Sequence, residues 1–93
     1  MEGVLWYMLT GARGGPTRIR ILEALDSRPW NAHQLAEELD LDYTTVRYHL
    51  DVLQEHDLVK NSTDGYGAMY TLSDAVKANW TTVEEIIQEV QDE

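Results

Sequence analysis

Hydrophobic positions along this chain change their spacing from segment to segment, and each spacing predicts an element. Residues 2–10 are apolar without a period of two, which predicts a short helix ended by the glycine-rich residues 11–16. Pro16 suits the first turn of the next helix. Ile19, Leu22 and Leu25, with Ile21 beside them, give one buried face to a helix over 17–27, with Arg18 and Arg20 beside or off that face. Pro29 prevents that helix from continuing. Asn31 and Gln34 occupy the reciprocal positions of a capping box ahead of a helix over 32–39, whose apolar members are Leu35, Ala36 and Leu39. After the turn Asp40-Leu41-Asp42, Asp42 is placed to cap a helix over 43–56. Val46, Leu50 and Leu53 share one side of it, and Thr44, Tyr48, Asp51 and Glu55 the other.

The period then shortens. Residues 58–61 and 68–72 read as strands joined through a turn at Asp64-Gly65. Ser73 caps a C-terminal helix on which Val76, Trp80, Val83, Ile87 and Val90 form a heptad seam. Thr81 or Thr82 with Glu84 or Glu85 offers an alternative cap, so a kink near residue 80 is compatible with the pattern. Two short helices joined by a three-residue turn make a helix-turn-helix, and a hairpin directly after the second helix is a wing. The expected fold is mainly α with a small β-hairpin wing and flanking N- and C-terminal helices. It forms a single domain over 1–93, with an N-terminal helix and loop (1–15), a winged-helix core (16–72) and a C-terminal dimerisation helix (73–93).

The order of Arg18-Ile19-Arg20-Ile21-Leu22, then Leu35 to Leu39, then the stretch from Leu41 to Leu50, then Leu53, Leu58 and Val59, resembles winged helix-turn-helix regulators of the broad ArsR-like type. The resemblance covers residues 17–72 and implies a homodimeric protein that binds double-stranded DNA to regulate transcription, as a repressor that occludes a promoter. Three departures matter. Asp40 stands where the turn usually has glycine, and aspartate tolerates left-handed backbone. The cysteines and histidine clusters of metal-sensing members are absent, and Lys60 is the only base in the wing.

On a helix lying in the major groove, the first turns approach base edges. Tyr43, Thr44, Thr45, Arg47 and Tyr48 are the expected readers, with Arg47 the candidate for a bidentate guanine contact; merely solvated polar residues are the plain alternative. Asn31, His33 and Gln34 at a helix N-terminus form a candidate phosphate clamp, although capping alone explains Asn31 and Gln34. Arg18, and Lys60, Asn61, Ser62 and Tyr66 of the wing, complete the expected DNA contacts. The C-terminal seam is expected to pair with a two-fold copy, in a dimer interface that also takes in Leu5, Trp6 and Leu9, or to pack within the chain on those three residues.

Charge complicates this picture. Seventeen acidic residues against seven basic give a net charge of −10, which by itself argues against a nucleic-acid partner. The distribution softens the objection, because residues 1–36 carry four arginines against three acids. Many carboxylates with almost no lysine resemble the surface of proteins from salt-loving organisms, and a salt-loving archaeon is the expected source. An acidic winged-helix adaptor in transcription or replication machinery, never touching DNA, is the alternative function. No cysteine is present, so disulfides and thiol chemistry are excluded. His49 and His56 are two helical turns apart, too far to share a metal ion. The glycine-rich loop lacks nucleotide-binding spacing. No cofactor, small-molecule ligand, membrane segment or catalytic set is expected, and the expected location is the cytoplasm.

Overall fold

The computed structural model describes residues 1–62 and 67–92. Helix α1 (Glu2–Trp6) runs on into a π-helical turn (Tyr7–Gly11), and is followed by α2 (Gly15–Ser27), α3 (Ala32–Leu39), α4 (Tyr43–Glu55), β1 (Val59–Asn61), β2 (Tyr70–Leu72), α5 (Asp74–Ala78) and α6 (Trp80–Gln91). This is the winged helix-turn-helix expected. The turn at Asp64-Gly65 lies outside the described residues.

The apolar stripes meet in one core. Ile21 and Leu22 of α2, Leu35 of α3, and Val46, Leu50 and Leu53 of α4 are fully buried, together with Leu5, Leu58, Val76, Val83 and Ile86. Burial of each such side chain contributes about 1.5–3 kcal/mol. The helix boundaries follow from local chemistry. Asn31 Oδ1 accepts from the Gln34 amide at 2.8 Å, and Gln34 Oε1 accepts in return from the Asn31 amide at 3.1 Å. Asp40 ends α3 in left-handed geometry at φ 53°, and Arg20 Nη2 donates to the adjacent Leu39 carbonyl at 2.7 Å. Asp42 caps α4 by accepting from the Thr45 amide at 3.2 Å.

In the wing, Val59 pairs with Leu72, Lys60 with Thr71 and Asn61 with Tyr70, antiparallel. Trp30 adds a rung that its single-residue context did not signal. It exchanges both backbone hydrogen bonds with Tyr70, at 3.2 and 2.7 Å. The linker between α2 and α3 is thereby sewn to the wing.

The C-terminal seam requires correction. The helix breaks at Asn79, at the kink near residue 80 that the pattern allowed, so the heptad does not run along one continuous helix. Ser73 caps α5, whereas no side chain caps α6, so neither Thr81 nor Thr82 does so. Val76 and Val83 are fully buried in the chain's own core, as are Leu5 and Leu9, and Ile86 joins them. Leu5, Val76 and Val83, all expected at the interface, leave no surface for another copy to contact, whereas Leu9 is 1% exposed and lines a groove beside Trp6. Trp6, Trp80 and Ile87 stay partly buried and Val90 is exposed.

Two glycines have specific tasks. Gly14 precedes α2 at φ +85°, a conformation that L side chains rarely adopt, with the His49 ring against it. Gly15 lies so close to the Leu9 carbonyl that a Cβ would collide with backbone, which cannot swing aside as a side chain can. Gly15→Ala should therefore destabilise the fold by about 1–3 kcal/mol, lowering the melting temperature by roughly 4–20 °C. Gly3→Ala, where a Cβ meets nothing within 4 Å, is the control and should not lower it. Thermal circular dichroism of the two variants makes the comparison.

Candidate nucleic-acid interface

The outer side of α4 carries the expected readers. Tyr43, Thr44, Thr45 and Tyr48 are exposed, Tyr48 to 58%. Arg47 lies among them, half-exposed. Its Nη1 donates to the Tyr43 hydroxyl at 3.2 Å, and its Nη2 lies 3.5 Å from Asp51 Oδ1. That hydroxyl first, with nearby Tyr70 and Asp51, holds the guanidinium pKa above its ordinary value. Tyr43 stacks on His33 of α3, with ring centroids 4.2 Å apart and planes 17° from parallel. A cleft of about 540 Å³ opens between these helices and the wing, lined by Asn31, Ala32, His33, Tyr43, Arg47, Gly67, Ala68 and Tyr70.

The other candidates are distributed less favourably. Asn31 and Gln34 spend their side-chain oxygens on the capping box. Lys60 is exposed but paired with Asp74 at 3.6 Å. Asn61 donates to Gln54 of α4 at 3.4 Å, and the Ser62 hydroxyl accepts from the Met69 amide at 3.2 Å. Tyr66 lies outside the described residues. The wing-side lining by Gly67, Ala68 and Tyr70 went unrecognised in the sequence, since an apolar strand end announces no cleft.

Arg18 is a correction. Expected among the DNA contacts, it is only 4% exposed. Its Nε donates to His49 Nδ1 at 3.2 Å, and its Nη1 to the Met8 carbonyl at 3.2 Å. Arg18, expected beside or off the apolar face of α2, instead lies on its inner side, four and seven residues ahead of Leu22 and Leu25, and the guanidinium stays there because neutral acceptors meet it. His49 in turn must present an unprotonated Nδ1. Burial chiefly, and the Arg18 charge next, push its pKa below the usual histidine value. Among the described residues, no three histidine, aspartate or glutamate side chains come together as a metal site.

A helix pair capped at both starts, an exposed reader side on the second helix and a wing beside it define a winged helix-turn-helix protein. A family model described as a helix-turn-helix domain matches residues 15–61, and the chain belongs to that family. It is similar to an uncharacterised HTH-type transcriptional regulator of the archaeon Methanocaldococcus jannaschii, 40% identical over 50 residues, covering 54% of this chain. The match spans about half the length of that curated relative, 53%. Among solved structures, the transcriptional repressor BigR of Xylella fastidiosa superposes with a TM-score of 0.74 at 20% identity, over 98% of this chain and 86% of that one. Reduced HlyU of Vibrio cholerae gives 0.69 at 24% identity, over 94% and 86%. At these identities the likeness is one of fold. No helix among the described residues is long and apolar enough to cross a membrane.

The Arg18–His49 contact makes stability depend on pH. The unfolded chain's imidazole takes up a proton below about pH 6.5, whereas the folded one does so only at lower pH. Stability from this pair is therefore complete above that point and is lost as pH falls through the window between the two values. Urea titrations at pH 7.5 and 5.5 should show a drop for the wild type that is smaller in His49→Gln, which keeps an acceptor without a proton to gain. Equal drops would assign the dependence to other groups.

Proposed function

We propose that this chain binds double-stranded DNA through α4 and regulates transcription as a homodimer, repressing by occlusion of a promoter. The single observation that carries the DNA reading is the cluster of Tyr43, Thr44, Thr45, Arg47 and Tyr48 on the outer side of the second helix of a helix-turn-helix, with no acid between the Asp42 cap and Asp51. Membership of the helix-turn-helix family and the name of the archaeal relative support it. The subtype closest in spirit is the ArsR-like one, and the −10 charge supports a salt-loving source. The adaptor reading keeps one specific support: Asp51 offsets the Arg47 charge, so the face is nearer neutral than electropositive.

The dimer rests on what the core leaves outside. Trp80 and Ile87 line a groove with Glu23, Asp26, Glu84 and Gln88, and Trp6 and Val90 line another with Leu9, Thr10, Pro16 and Glu89. Covering these with a two-fold copy would remove apolar surface from water, and salt would screen the acidic rims. Trp80→Ala combined with Ile87→Ala should give a monomer or a much weaker dimer in sedimentation. An unchanged dimer would move the interface to the Trp6 side.

Salt provides the test of DNA binding. Neutralising a phosphate releases about 0.9 of a counterion, but few cations here are placed to do so, and Asp51 and Glu55 must approach the backbone with the wrong sign. Affinity for a duplex should be weak at low salt and fall little, or even rise, toward molar potassium. Arg47→Ala should weaken it by about 1–3 kcal/mol. A steep loss of wild-type affinity with salt would overturn the account of the acidic surface, and no binding at any salt would favour the adaptor.

A further inference from the structure

Arg47 is the only arginine or lysine on α4, and the fold does not leave it loose. The Tyr43 hydroxyl takes one terminal nitrogen at 3.2 Å, and Asp51 stands 3.5 Å from the other. Tyr43, Arg47 and Asp51 follow one another at steps of four residues, so they line one strip of the helix. The strip is anchored at its start, because Tyr43 is stacked on His33 of α3. Arg47 Nε is enclosed and has no hydrogen-bond partner among the described residues, while the side chain as a whole is 43% exposed.

Resting on the reading of α4 as the DNA reader, we infer that Asp51 and Tyr43 are positioning residues that set sequence specificity by holding Arg47 for a base edge and away from phosphates. The two targets make different demands. A phosphate asks for positive charge within reach and accepts many side-chain conformations, whereas a guanine edge asks for two parallel N–H groups in one direction. A tethered guanidinium meets the second demand at a smaller loss of conformational freedom. Each terminal nitrogen has two N–H groups, so one tether on each leaves one free for the base. Asp51 also offsets the charge that would draw Arg47 to the backbone. Glu55, one turn further on, is exposed and in no ion pair among the described residues, so it contributes charge without position.

The test begins by selecting a preferred duplex from a random-sequence pool with the wild-type chain. Affinities for that duplex and for the unselected pool are then measured across potassium concentrations. Asp51→Asn should bind the pool roughly two- to fivefold tighter, with a salt slope steeper by about 0.9, while its preference for the selected duplex falls. Tyr43→Phe should lose preference with little change of slope, and Asp51→Glu should restore it. Glu55→Gln should tighten both duplexes alike. If Asp51→Asn behaves as Glu55→Gln does, or gains preference, Asp51 is only a repulsive charge or an opposing latch, and the inference is overturned. Failure of the underlying reading looks different: the wild type selects no duplex, or Arg47→Ala keeps the preference. Either result removes the inference together with that reading.

Discussion

A guanidinium buried without a carboxylate must be met by neutral acceptors, and in this fold Arg18 finds two on different elements. His49 belongs to α4, and the Met8 carbonyl belongs to the turn that ends the first helical segment. Carbonyls near a helix C-terminus run out of internal donors and carry partial negative charge, which suits a cation. The contact therefore joins α2, the N-terminal segment and α4 at one point. Leaving that charge without its partners would cost several kcal/mol, a large share of what a domain of this size has in total. Gly14 and Gly15 are the steric side of the same constraint, since side chains there would displace the His49 ring or the Leu9 backbone.

With α4 held from below, its outer surface is presented in a fixed register. The inner stripe of Val46, Leu50 and Leu53 fills the core, and Arg47 and Tyr48 are left on the outer side by the same helical geometry. The wing is held to this frame by Trp30 pairing with Tyr70 and by Asn61 donating to Gln54. The cleft beside Arg47 is thus walled by elements far apart in sequence and joined by backbone hydrogen bonds.

The acidic composition has a structural share. Asp42 caps α4, and Asp40 and Asp57 adopt left-handed backbone at the ends of α3 and α4, where a short polar side chain is tolerated. Five of the seven bases are similarly committed. Arg18 is buried, Arg20 closes the end of α3, Arg28 stacks 3.4 Å from the Trp30 ring centroid, Arg47 faces Asp51 and Lys60 faces Asp74. A surface with so little uncommitted positive charge can recognise DNA only where its few donors are well directed.

Local chemistry in the sequence determined the helices and their ends. The capping box at Asn31 and Gln34, the Asp42 cap and the stripes of α2 to α4 were legible because each depends on residues within a turn or two of one another. So was the order of helix, turn, helix and hairpin. What only the tertiary structure decided were contacts between distant segments: the burial of Arg18 against His49, the rung between Trp30 and Tyr70, and the tethering of Tyr43 by His33. The C-terminal seam shows the reason. Its spacing fitted both a neighbouring copy and the chain's own core, and a periodic stripe does not state which surface it meets. In the fold, α6 packs on α1 and the π-helical turn, Val76, Val83 and Ile86 are buried, the helix breaks at Asn79, and Trp80 and Ile87 stay only partly buried while Val90 is exposed.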